Sequence, residues 1–154
     1  MKDFNTLLTL ARDNDPEAQL DLAYCYYTGY GTEKNIAEAA RWWTRLATLL
    51  DNDEYTDEEY DEILSGAHLY IEIAKYELGC LYYNGIGVEQ SYDEAVRWFS
   101  ISDCPHADYE LAKCYYYGRG VAQNLDKALE HLERAAKEGH PDAIDHLELW
   151  HKGE

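Results

Sequence analysis

Basic residues are scarce in this sequence: 13 Lys and Arg stand against 31 Asp and Glu, for a net charge of −18. Phosphate backbones and anionic lipid surfaces are held by Lys and Arg, so the balance argues against nucleic acid or a membrane as partner. It points instead to a basic protein. No apolar run approaches the ~20 residues a spanning helix needs. The amino terminus, Met1-Lys-Asp-Phe-Asn-Thr-Leu-Leu8, has neither the apolar core nor the small-residue cleavage site of a secretion signal, and a cytoplasmic location is expected on that ground. Cys-x-x-Cys is missing too, which removes the commonest zinc and redox signatures. Cys25, Cys80, Cys104 and Cys114 therefore read as reduced, packed thiols. Phe and Met are nearly absent, at two and one, whereas there are 15 Tyr and 4 Trp. A tyrosine buries its ring while its hydroxyl stays near water, which suits thin two-layer packing and adhesive surfaces.

What the chain does have is a phrase written three times: Leu22-Ala-Tyr-Cys-Tyr-Tyr-Thr-Gly-Tyr-Gly31, Leu78-Gly-Cys-Leu-Tyr-Tyr-Asn-Gly-Ile-Gly87 and Leu111-Ala-Lys-Cys-Tyr-Tyr-Tyr-Gly-Arg-Gly120. An alanine stands four residues before each copy (Ala18, Ala74, Ala107) and another eight residues after its last glycine (Ala39, Ala95, Ala128). Such periodicity marks a stack of supersecondary units, which works through the surface it presents, so binding is expected rather than catalysis. Within each unit Ala18, Leu22, Cys25 and Tyr26 recur at i, i+4, i+7 and i+8, the spacing of an amphipathic helix A. Gly-x-Gly stops that helix, its first glycine serving as a left-handed cap. Helix B then opens at Asn35, Ser91 or Asn124, all competent N-caps, with inner faces Ala39/Trp43/Leu46, Ala95/Phe99 and Ala128/Leu132/Ala135. The helix A of repeats 1 and 3 and the closing helix start on proline, at Pro16, Pro105 and Pro141. Phe4 to Arg12 supplies an opening helix and Pro141 to Trp150 a closing one, as solenoid ends require.

The pattern Ala-x3-Leu-[Gly/Ala]-x2-Tyr-x2-Gly-x-Gly-Val…Asp-x-x-Ala-x2-Trp resembles the Sel1-like repeat, a relative of the tetratricopeptide repeat. Val88, Tyr92, Asp93, Glu94, Ala95 and Trp98, and again Val121, Asp126, Lys127 and Ala128, fit it closely. The resemblance implies an all-α, right-handed solenoid of αα-hairpins with terminal capping helices, and non-catalytic adaptor work between proteins. It also implies a repeat of about 36 residues. Ala107 to Ala143 spans 36, Ala74 to Ala107 only 33, and Ala18 to Ala74 fully 56. A single solenoid domain is expected, divided into an opening helix (1–14), repeat 1 (15–50), an acidic insertion (51–70), repeat 2 (71–103), repeat 3 (104–139) and a closing helix (140–154).

In tetratricopeptide geometry helix A lines the concave side. Transferring that phase places Tyr24, Tyr27, Tyr76, Tyr83, Asn84, Tyr109, Lys113, Tyr116 and Tyr117 on the concave face, as protein-binding candidates. The second tyrosine of each pair (Tyr27, Tyr83, Tyr116) is expected to point away from the buried face carrying Tyr26, Tyr82 and Tyr115. The acidic run Asp51-Asn-Asp-Glu-Tyr-Thr-Asp-Glu-Glu-Tyr-Asp-Glu62 adds Asp53, Glu54, Asp57 and Glu58 as candidates to meet a basic partner. Residues 48–106 hold fourteen of the acidic residues against two basic ones. Some members of the family serve beside secreted toxins, so a toxin or effector is one such partner and an immunity protein the narrower reading.

The alternative is a calcium-responsive or catalytic accessory with its site in the insertion. Asp51, Asp53, Tyr55, Asp57, Glu59 and Glu62 fall at positions 1, 3, 5, 7, 9 and 12 of a calcium loop, but Thr56 stands where the turn-making glycine belongs. Instead, Thr56-Asp-Glu-Glu59 reads as a capping box opening a helix from about Asp57 to Tyr83 that should project past its neighbours. Four of the six histidines lie in the last 24 residues without metal-ligand spacing, and are expected at the surface. No catalytic residue, metal or cofactor is expected.

Overall fold

The computed structural model describes residues 2–51 and 56–153. Among these residues there are eight helices and no strand: α1 (Phe4–Arg12), α2 (Pro16–Thr28), α3 (Ile36–Ala47), α4 (Asp57–Asn84), α5 (Tyr92–Ser100), α6 (Pro105–Tyr117), α7 (Leu125–Lys137) and α8 (Pro141–Lys152). Each packs on the next in sequence, while α2 also meets α4 and α4 meets α6. The fold is the all-α solenoid that the repeat predicts, with A helices α2, α4 and α6 side by side and B helices α3, α5 and α7 behind them.

Local chemistry sets the ends. Asn35, Ser91 and Asn124 accept hydrogen bonds from the amides of Glu38, Glu94 and Lys127 at 3.1, 3.2 and 3.0 Å. Each such cap stabilises its helix by about 1 kcal/mol. The same three cap residues donate their own amides to the carbonyls of Tyr26, Tyr82 and Tyr115, at 2.8, 3.0 and 2.9 Å. The first tyrosine of each pair thus marks where a B helix is tied back onto its A helix.

Both glycines of the motif adopt positive φ, and the second also makes the contact between repeats. A Cβ on Gly120 would lie 2.3 Å from the carbonyl oxygen of Tyr92, and one on Gly87 2.5 Å from Cγ2 of Ile36. Tyr92 and Ile36 are the first residues of α5 and α3. Gly31 faces the Cβ of Phe4, the first residue of α1, in the same way at 3.5 Å. The opening helix therefore stands where a preceding helix B would.

The helix expected from the acidic run is present as α4, 28 residues long, with Thr56 and Glu59 closing a full capping box. Further along, where repeat 2 begins, the helix also fixes a turn. Glu72, buried on α4, accepts from the amide of Asp103 and holds Lys75 at 2.8 Å, while its carbonyl takes the hydroxyl of Ser102. These bonds fasten the turn after α5, which at nine residues is the shortest B helix among the described repeats. Buried clusters follow one another along the stack, around Leu7 and Leu22, Trp43 and Leu78, Phe99 and Leu111, then Leu132 and Ala143. Among the described residues no helix is long and apolar enough to cross a membrane.

Candidate protein-binding face

The A helices present a run of aromatic contacts that passes from one repeat to the next. Tyr24, half-buried on α2, donates its hydroxyl to Glu77 Oε1 of α4 at 2.6 Å and sets its ring edge-on to Trp43. Burial, then the bond to Glu77, raises its phenol pKa far above the ordinary value. Tyr27 leans on Trp43 with Lys34 5.8 Å over its ring. From α4, Tyr76 packs between Phe99 and His106. Tyr83 meets Tyr92 edge-on and receives a hydrogen bond from Arg119. Asn84 is exposed and donates back to the carbonyl of Cys80 at 2.9 Å, finishing α4. On α6, Tyr109 stacks on His140 at 4.5 Å, and its hydroxyl lies 3.0 Å from Nδ1 of His146. Lys113 is held by both oxygens of Glu110, at 2.8 and 2.7 Å, and lies 5.2 Å over Tyr109. Tyr116 and Tyr117 are exposed, edge-on to each other, and Tyr116 also meets Trp150 of α8 at 5.8 Å.

Eight of the thirteen candidates, on α2, α4 and α6, thus take part in this run, while Asn84 bonds only within α4. Asp57 and Glu58 are exposed in the first turn of α4, 26 residues before Tyr83. At 1.5 Å per residue that is about 40 Å along the helix. Asp53 and Glu54 lie outside the described residues.

The inside–outside division of the tyrosine pairs is different from the one expected. Tyr27 and Tyr83 are as half-buried as Tyr26 and Tyr82; of the three second tyrosines only Tyr116 is exposed. Trp43 and Lys34 of its own repeat cover Tyr27, while Tyr83 is covered by Tyr92 of its own repeat and by Arg119 of the next. The surface reading of the histidines also fails in part. His140 is only 7% exposed, caps α8 by accepting from the amide of Ala143, and lies edge-on to His106. His131 binds the buried carboxylate of Asp108 at 2.8 Å, beside Arg134 at 3.1 Å. Glu77 and Glu110 were missed as partners of the tyrosine face. Their signal was available: each stands three residues after a repeat alanine, as Asp21 does in the first copy.

Cys80 and Cys114 are poor nucleophiles at neutral pH, because burial pushes Cys80 up to about 12 and Cys114 up to about 11. Asp57, Glu59 and Glu62, the last calcium-loop positions, are already inside α4, and the Glu59 carboxylate accepts from both the amide and hydroxyl of Thr56. Those bonds, the backbone one foremost, hold it below the usual carboxylate range. Asp53 and Tyr55 of that loop lie outside the described residues.

A sequence model of the Sel1 repeat matches residues 16–49, 73–102 and 105–140. The chain belongs to the Sel1-repeat family. A Sel1 repeat protein from Oxalobacter formigenes is similar at 29% identity, with a TM-score of 0.74 over 97% of this chain and all of that one. The protective antigen c5321 of uropathogenic Escherichia coli, with an SLR fold, is similar at 25% identity and a TM-score of 0.50. That match covers 96% of this chain and 36% of the antigen, so this chain spans about a third of it. Sel1 repeat proteins generally mediate protein–protein interaction, and the fold is typically a non-catalytic scaffold. The Sel1 matches skip residues 50–72, the stretch carrying the acidic run and the first turns of α4.

Proposed function

We propose that this chain is a non-catalytic module that binds a basic protein through the tyrosine-lined face of its A helices, with the acidic start of α4 attracting that partner. The observation that carries the reading is the exposed aromatic group at the end of the α2–α4–α6 run, where Tyr116 and Tyr117 stand beside Trp150. Tyrosine and tryptophan give large contact area for little lost entropy, and they dominate interface hot spots. The charge of −18 would raise the association rate with a cationic partner and make it salt-sensitive.

The narrower reading is an immunity protein that neutralises a basic toxin or effector in the cytoplasm, and the charge supports it without singling it out. A pull-down from the native cell, followed by the double variant Tyr116→Ala/Tyr117→Ala at the two exposed rings, tests the module. Capture of a basic protein by the wild type and its loss in a variant with unchanged circular dichroism are expected. Capture that survives both substitutions rules out the tyrosine face. A toxin gene immediately upstream would favour the immunity reading over a general adaptor.

A further inference from the structure

The three copies of the motif differ in what lies over their second tyrosine. Lys34 is 5.8 Å from the ring centre of Tyr27; Arg119 and Lys113 are 5.7 and 6.0 Å from that of Tyr83. Among the described residues no Lys or Arg lies over Tyr116. It is 44% exposed and borders a cleft of about 340 Å³ whose walls include Tyr109 and Tyr117 of α6, Leu132 of α7, and Leu149 and Trp150 of α8. That volume is at the lower limit for a ligand pocket and fits one long side chain rather than a folded segment.

We propose that this cleft is the seat for an arginine side chain of the basic partner, with the guanidinium against the rings of Tyr116 and Trp150 and the aliphatic stem along Leu132 and Leu149. This rests on the reading of the chain as a binder of basic protein. An aromatic ring carries negative potential on its face and draws a cation to it. The chain already uses this chemistry where repeats 2 and 3 meet, with Arg119 among Tyr83, Tyr92 and Tyr117, at 5.7, 5.8 and 4.9 Å from their ring centres. The one ammonium lining the cleft, Lys113, is held by both oxygens of Glu110, so its charge is largely offset. Residues 107–154, which supply the whole lining of the cleft, hold ten acidic residues against six basic ones, which favours a cation over an anion there. Arginine suits the site better than lysine: its head is planar and weakly hydrated, it stacks on rings, and its stem matches the leucine walls.

The test uses the full chain labelled with ¹⁵N and follows the Trp150 indole N–H by NMR. The probe is N-acetyl-arginine methylamide, compared with the citrulline, phenylalanine and glutamate equivalents. A saturating shift with the arginine probe is expected, with citrulline, which has the same shape but no charge, about tenfold weaker. Tyr116→Leu should weaken arginine binding about tenfold while Tyr116→Phe, which keeps the ring, should not. Because Tyr116 is exposed, both variants should keep the wild-type helical spectrum. Phenylalanine binding as tightly as arginine would make the cleft a plain apolar pocket; glutamate doing so would make it an anion site on Lys113. Either result, or the lack of a saturating arginine shift, overturns the proposal. Equal capture of a basic partner by wild type and Tyr116→Leu overturns the seat and leaves the binding module standing. Arginine binding with no partner captured overturns the module and leaves the seat.

Discussion

Two glycines on α4 allow a paired experiment on how closely the repeats are packed. Gly79 stands where the other copies have Ala23 and Ala112, and a Cβ there would meet Cε1 and Cδ1 of Phe99 at 2.3 and 2.5 Å. Phe99 is fully buried and cannot swing away without displacing the cluster of Ala95, Leu111 and Cys114. Gly66 lies on the same helix with nothing within 4 Å of such a Cβ, and its φ is not positive. In a helix interior, alanine is favoured over glycine by about 1 kcal/mol. Gly66→Ala should therefore stabilise by about that amount, raising Tm by ~2–4 °C for a chain of this length. Gly79→Ala gains the same helix term but overpacks the core, at a cost of roughly 1–3 kcal/mol. The net loss is then about 1 kcal/mol, and Tm should fall by ~2–4 °C. Urea titration followed by circular dichroism measures both changes, and adding Phe99→Leu to Gly79→Ala should recover part of the loss as a coupling of at least ~0.5 kcal/mol. If Gly79→Ala raised the midpoint as Gly66→Ala does, the close approach of α4 to α5 would be refuted.

Three further outcomes are expected. Asp108→Ala removes a buried carboxylate that serves both His131 and Arg134, and should cost about 2 kcal/mol in urea unfolding, with α7 showing the largest rise in amide exchange. His140 must be neutral at Nδ1 to cap α8, and burial, then His106 beside it, lowers its pKa from the ordinary 6.5; Asp142 and Glu110 act against that shift and Lys113 with it. Its contribution is therefore present above pH 6.5 and lost as pH falls below, so wild type should lose stability relative to His140→Asn between pH 7 and 5, and a pH-independent difference would sink the idea. Millimolar calcium should leave Tm unchanged, because the Glu59 carboxylate is committed to the Thr56 cap; a rise of several degrees would revive the calcium reading.

What could be read from the sequence divides by distance along the chain. Caps, glycine stops and the start of α4 at Thr56 depend on residues within one turn of each other, and these were all legible. The contacts between A helices join residues 30 to 53 apart, such as Tyr24 with Glu77 and Tyr76 with His106, and depend on how each repeat is rotated against the next. No pattern inside one copy carries that rotation, which is why Tyr83 could be placed on a helix face but not under Arg119. His140 shows the same limit: its capping position follows from Pro141, whereas its burial follows from Tyr109 on another helix. The second tyrosine is consequently not one kind of residue. The ring of Tyr27 is occupied by Lys34 and Trp43 of its own repeat, and that of Tyr83 by Arg119 of the next, where it joins two repeats. Beside the third copy α8 offers Trp150, Leu149 and His146, and the ring of Tyr116 is open beside a cleft. Arg119 fills the ring of Tyr83 across the joint between repeats 2 and 3, and a partner's arginine on Tyr116 would make the same kind of contact between two chains.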